Sequence, residues 1–87
     1  MKSVRSPKFK KMYKDLPTSI KLLAKKNYSL WKKNPLHPSL HYKSFGDDFK
    51  SVRIGDHYRA IGFVVDEYIV WDWIGSHEEY NKIFKLL

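Results

Sequence analysis

The chain of 87 residues contains no cysteine, which rules out disulfides and thiolate metal sites. A small fold without such staples suits a reducing compartment, so a cytoplasmic protein is expected. No apolar run approaches the roughly 20 residues of a membrane-spanning helix, and the start of the chain lacks the apolar stretch of a signal peptide. No membrane partner is expected. There are only four glycines and four prolines, with no Gly-rich phosphate loop, linker, repeat or low-complexity segment. Ser-His-Asp order and zinc-finger spacing are also absent, and no pair of histidines stands at metal-ligand spacing with an acid. Neither a metal nor a small-molecule cofactor is expected. Acidic residues are scarce in one half: residues 1–43 hold 12 Lys or Arg and one acid, Asp15, for a net +11. Residues 44–87 hold five Lys or Arg and eight acids, for a net −3.

The chain is 43% hydrophobic and 16% aromatic, and these residues are spread along its length, which argues against disorder. Residues 1–87 are expected to form one domain, and a chain of this size buries about 60–65% of its unfolded surface. The excess of positive charge in the first half points to a polyanion or an acidic partner. The alternative is a solvated lysine-rich helix face.

Met1–Arg5 reads as a short edge strand. Ser6-Pro7 is an N-cap followed by proline at the first helical position, where its missing N–H costs nothing. Phe9, Met12, Tyr13 and Leu16 share one helical face, with Lys8, Lys10, Lys11 and Lys14 on the other. Leu16-Pro17 ends this helix, because a residue before proline is pushed out of the α region. A second helix starts at Pro17 or Thr18, buries Ile20, Leu23, Ala24, Leu30 and Trp31, and stops at Asn34-Pro35. The pair makes a helical hairpin. From Leu36 the period falls from 3.6 to 2, giving strands at Ser39–Phe45, Phe49–Ile54, Tyr58–Val65 and Tyr68–Ile74, joined by short turns. Ser76-His-Glu-Glu79 matches a capping box, with Glu79 expected to reach back to the Ser76 N–H. Tyr80, Ile83, Phe84 and Leu87 repeat the helical spacing behind it. The expected fold is α+β: a helical hairpin on an antiparallel sheet of about four strands with one face covered, closed by a short C-terminal helix.

Two arginines are the candidate anion-binding groups. If Gly55-Asp56-His57 is a three-residue loop, Arg53 pairs with Arg59 and both guanidinium groups stand on one face. Like charges directly opposite each other are destabilising, so such a pair invites an anion between them. A two-residue turn would send them to opposite faces. The structural alternative for either arginine is a salt bridge to Asp72 or Glu67. His77 falls at the first position of the last helix, where the positive end of the helix dipole favours a neutral imidazole, the form of a proton acceptor. Tyr80 lies one turn on and could move a proton if cations surround it; packing with Ile83 and Phe84 is the alternative. His37, His41 and His57 give weaker signals. Trp31, Trp71 and Trp73 read as core, and Trp73 is also placed to stack a base.

Several stretches together resemble the RelE/ParE superfamily of toxins from bacterial type II toxin–antitoxin modules. They are Phe9-Lys-Lys-Met-Tyr-Lys-Asp-Leu-Pro17, Asn34-Pro-Leu-His-Pro-Ser-Leu40, Ser51-Val-Arg-Ile-Gly55, Tyr58-Arg-Ala-Ile61 and Trp73-Ile-Gly-Ser-His-Glu-Glu-Tyr80. The resemblance implies the helical hairpin and antiparallel sheet already read from the residues. It implies that Arg53 and Arg59 bind the scissile phosphate and that His77 and Tyr80 assist proton transfer. Lys43 is similar to a family lysine in the preceding strand, and Lys43, Lys50 and His57 are assigned to RNA contact. His57 looks like an insertion in a turn that many members make shorter. The acid that some members carry in the sheet has no clear counterpart. The implied function is a ribosome-dependent mRNA endoribonuclease (mRNA interferase) that inhibits translation, acting without a metal and leaving a 2′,3′-cyclic phosphate. The implied partners are a cognate acidic antitoxin, the ribosome and mRNA. The C-terminal helix after His-Glu-Glu-Tyr also resembles the gyrase-binding ParE branch, and an inactive relative that only binds nucleic acid is the third alternative.

Overall fold

Five strands form one sheet in the order β1-β5-β4-β3-β2. The computed structural model describes residues 2–86, and for Phe84 and Leu86 the backbone alone. The elements run β1 (Lys2–Arg5), α1 (Pro7–Lys14), α2 (Thr18–Lys33), a 3-10 turn (Pro38–Leu40), β2 (Lys43–Phe45), β3 (Phe49–Ile54), β4 (Tyr58–Val65), β5 (Tyr68–Ser76) and α3 (His77–Leu86). Strands β2 to β5 make the expected antiparallel meander. The fifth strand is the N-terminal segment, which pairs in parallel with β5 and forms an edge. Met1 and Leu87 lie outside the described residues, as does the Phe84 side chain.

Local signals set the helix ends. The Ser6 hydroxyl accepts from the Phe9 N–H at 3.0 Å, with Pro7 behind it. Pro17 separates the helices, and Asn34 closes α2. The hairpin covers one sheet face, α1 against β5 and α2 against β3. Ala24, Trp31, Leu40, Val52, Ile54, Ala60, Ile69, Trp71 and Ile74 form the buried core there.

Three expectations need correction. Ser39–His41 is not strand: Pro38–Leu40 is a 3-10 turn capped by His37, and His41 leaves it in the left-handed region at φ 44°. Proline fixes φ and has no N–H to give a ladder, so β2 is confined to Lys43–Phe45. Second, the sheet is covered on both sides. Helix α3 folds onto the face away from the hairpin, where Tyr80 joins Ile61 and Trp73 in a second buried cluster flanked by Ile83. Third, Glu79 does not reach the Ser76 N–H. The Ser76 hydroxyl accepts from the Glu79 N–H at 3.2 Å and donates to Glu79 Oε1 at 3.1 Å.

A bulge links the two cores. Ile61 pairs with Trp73 but Gly62 pairs with Trp71, which leaves Asp72 as the extra residue on β5. A bulge shifts the period of two by one, so Trp71 faces the hairpin and Trp73 faces α3.

Candidate anion-binding site on the sheet

Gly55-Asp56-His57 is the three-residue loop: Ile54 pairs with Tyr58, and Arg53 stands directly opposite Arg59. Gly55 adopts φ 63°, and a Cβ on it would stand 2.6 Å from Leu23 Cδ2 on α2. A side chain there would be strained by the positive φ and would press on Leu23. The two arginines therefore leave the sheet on the face that α3 occupies, because their flanking residues Val52, Ile54 and Ala60 point into the hairpin core.

The two guanidinium groups are held differently. Arg53 donates from Nε to Gly55 O at 2.9 Å and from Nη2 to Asp56 Oδ1 at 2.5 Å, and its Nη1 lies 3.3 Å from His41 Nε2. Arg59 donates from Nη1 to its neighbour's Tyr58 O at 2.9 Å. Among the described residues no carboxylate lies within salt-bridge distance of Arg59. Partial burial holds its guanidinium below the ordinary arginine value, with the Arg53 charge as the second cause; Tyr80 and Asp56 act in the opposite direction. Among the described residues the alternative salt bridges to Asp72 and Glu67 do not form: Asp72 faces Lys8 at 3.7 Å, and Arg53 meets the loop carboxylate Asp56.

His77 is the first residue of α3. Its N–H donates to His57 O at 2.7 Å, which ties the helix start to the hairpin loop. The imidazole stacks on the Tyr80 ring at 6.3 Å and 16°, and its buried Nδ1 has no hydrogen-bond partner. Tyr80 is only 6% exposed, and its hydroxyl donates to the Ser51 hydroxyl at 3.3 Å. Packing, the alternative weighed for Tyr80, therefore describes its ring. Trp73 offers no face to a base: it is buried, and a Cβ on Gly75 would fall 2.8 Å from its ring.

The remaining assigned residues divide. Lys43 pairs with Ser51, so it shares the arginine face one row along. Lys50 does not, because it pairs with Gly62, stands on the hairpin side of the sheet and donates to Ser44 Oγ at 2.5 Å. The period of two separates it from Arg53, three residues away. His57 is exposed in the loop and meets α3 through its backbone. Two residues of the site were not singled out from the sequence, Ser51 and Asp56, and His41 gave only a weaker signal. Ser51 is the single polar residue among the buried side chains described. Asp56 sits three residues after Arg53 across a Gly turn, a spacing that could have revealed it. His41 was read as part of a strand, and the 3-10 turn that places it beside Arg53 was not foreseen. Among the described residues no group of three or more His, Cys, Asp or Glu could hold a metal ion, and no helix is long and apolar enough to cross a membrane.

With this geometry in hand, comparison with solved structures is decisive for the fold. A chain of the RelB–RelE antitoxin–toxin complex from Methanococcus jannaschii matches with a TM-score of 0.72 at 18% identity, over 93% of this chain and 98% of that one. The isolated RelE toxin of E. coli matches with a TM-score of 0.68 at 16% identity, over 99% and 98%. This is the RelE-like fold. A copper-bound mutant toxin from Helicobacter pylori shares it too, with a TM-score of 0.62 at 22% identity over 91% of this chain and 97% of that one. No protein-family model and no curated protein matches the chain. The expected RelE/ParE-like architecture thus holds, with five strands in place of about four.

Proposed function

We propose that this RelE-like chain, residues 1–87 acting as one domain, is the toxin of a type II toxin–antitoxin module and cleaves mRNA on the ribosome. The observation that carries the reading is Arg59, a partly buried guanidinium facing a second guanidinium with no carboxylate of its own. A like-charge pair at directly opposed positions opposes folding, and an RNA phosphate bound there would relieve it. Arg53 and Arg59 would stabilise the extra charge that develops on phosphorus as the RNA 2′-hydroxyl attacks. His77 Nε2 is the nitrogen left for the 2′-hydroxyl proton, since Nδ1 is buried. Discrimination for RNA over DNA follows from the nucleophile itself. Lys43, on the same face, would contact the adjoining phosphate. Tyr80 is assigned a positioning role through its stack on His77.

The net +11 of residues 1–43 suits an acidic antitoxin as partner and ribosomal RNA as an anchoring surface. The toxin solved in complex with its antitoxin from M. jannaschii supports the partner assignment by analogy of fold. A cytoplasmic location follows from these partners.

The test adds the purified protein to translating ribosomes and maps the ends of the message. New 5′-hydroxyl ends in the wild type, absent with Arg59→Ala, are the expected result. Intact message together with growth inhibition would favour a gyrase-binding toxin. Intact message without inhibition would leave a nucleic-acid-binding relative.

A further inference from the structure

We propose that His41 is the second proton-transfer group of this site, standing across the arginine pair from His77; the proposal rests on the ribonuclease reading above. Cleavage by 2′-hydroxyl attack moves two protons. The 2′-oxygen bonds to phosphorus and loses its proton, while the bond from phosphorus to the 5′-oxygen breaks and that oxygen must gain one. Entering and leaving oxygens lie roughly in line on opposite sides of phosphorus, so the two groups belong at opposite ends of the phosphate site. Tyr80 does not fill the second place, because its hydroxyl is buried and bonded to Ser51.

His41 has the right place. Its Nε2 lies 3.3 Å from Arg53 Nη1 and its side chain is exposed. Strand β2 pairs with β3 only over Phe49–Ser51, so beyond Ser51 the edge of β3 is free and the 3-10 turn packs there. Across the sheet the order is His41, Arg53 on β3, Arg59 on β4, and His77 following β5. His41 and the start of α3 thus lie on opposite sides of the two arginine strands. The histidine is also held in an uncommon backbone state, φ 44° and ψ 44°, anchored by the fully buried Leu40 and by its own N–H to Pro38 O at 3.3 Å. Such conformations in non-glycine residues cluster at functional sites.

A guanidinium can only donate, so His41 Nε2 accepts from Arg53 and the resting ring carries its proton on Nδ1. A phosphate that draws Arg53 onto itself frees Nε2 to take a proton from water. The 2′-hydroxyl proton then passes to His77 Nε2, and His41 gives its proton to the departing 5′-oxygen. The products are a 2′,3′-cyclic phosphate and a 5′-hydroxyl, and His77 returns its proton to water. The charged group in contact with His41 is Arg53, which also holds Asp56; Lys26 from α2 and His37 line a groove with Arg53 and Asp56.

The experiment compares wild type with His41→Asn, asparagine being the side chain that best tolerates this left-handed backbone, and with His41→Gln. Each is given programmed ribosomes carrying one of two messages. One has an ordinary scissile linkage; the other has sulfur in place of the bridging 5′-oxygen, a leaving group that needs no proton. Both variants should cut the ordinary message about 10²–10⁴-fold more slowly than wild type, yet cut the sulfur-linked message at the wild-type rate. Wild-type rates on the ordinary message would overturn the proposal and leave the ribonuclease reading standing. Equal slowing on both messages would overturn it differently, reducing His41 to a support for Arg53. A wild-type protein that cuts neither message would remove both readings together.

Discussion

The two faces of the sheet are built to different rules. Toward the hairpin, Val52, Ile54, Ala60, Ile69, Trp71 and Ile74 meet Ala24, Trp31 and Leu40 without a charged side chain among them. Toward α3, the same strands present Arg53, Arg59, Lys43 and Ser51 beside Ile61 and Trp73. The first face gains from burial, which is non-directional and scales with area. The second places two like charges opposite each other, which folding alone does not favour. The difference teaches where to look for function: on the face whose arrangement stability cannot explain.

The largest effect should come from the apolar face. Trp31 packs edge-on to Trp71 at 5.4 Å and to Tyr42 at 6.1 Å, so Trp31→Ala should cost about 3–5 kcal/mol. Urea unfolding measures it, and a loss no larger than the roughly 0.5 kcal/mol of a surface change would contradict this core. Arg59→Ala should do the reverse. Message cleavage should fall about 10²–10³-fold, whereas unfolding stability should hold or rise as the like-charge pair is relieved. A variant that unfolds more easily would make Arg59 a structural residue.

Gly55→Ala probes the joint between the faces. Its positive φ and the closeness of Leu23 predict a loss of at least about 1–2 kcal/mol, and the turn that presents Arg53 should shift with it. Chemical-shift changes confined to residue 55 itself would count against that coupling. The smallest effect belongs to Tyr80→Phe. It removes one hydroxyl bonded to Ser51 and should cost about 0.5–1.5 kcal/mol. Cleavage should persist, since the ring still supports His77; complete loss of cleavage would restore the hydroxyl to the chemistry.

The helices and the meander were legible because their causes are local. Ser6-Pro7, Leu16-Pro17 and Asn34-Pro35 act on their own backbone, and apolar spacing reports the buried face directly. The opposition of Arg53 and Arg59 was legible as one of two outcomes, decided by a single residue of loop length. The failures share a cause as well. Lys50, assigned to RNA contact with Lys43, stands on the opposite face from it and from the arginines. The Asp72 bulge, which sends Trp71 and Trp73 to opposite cores, depends on β4 opposite it and leaves no mark in Trp-Asp-Trp. The seat of α3 on the second face and the approach of His41 to Arg53 join residues from different elements. The sequence alone determined the elements and the residue types of the site. Only the tertiary structure decided which of those residues meet, because faces, bulges and side-chain partners are set by what packs across the sheet and not by neighbours along the chain.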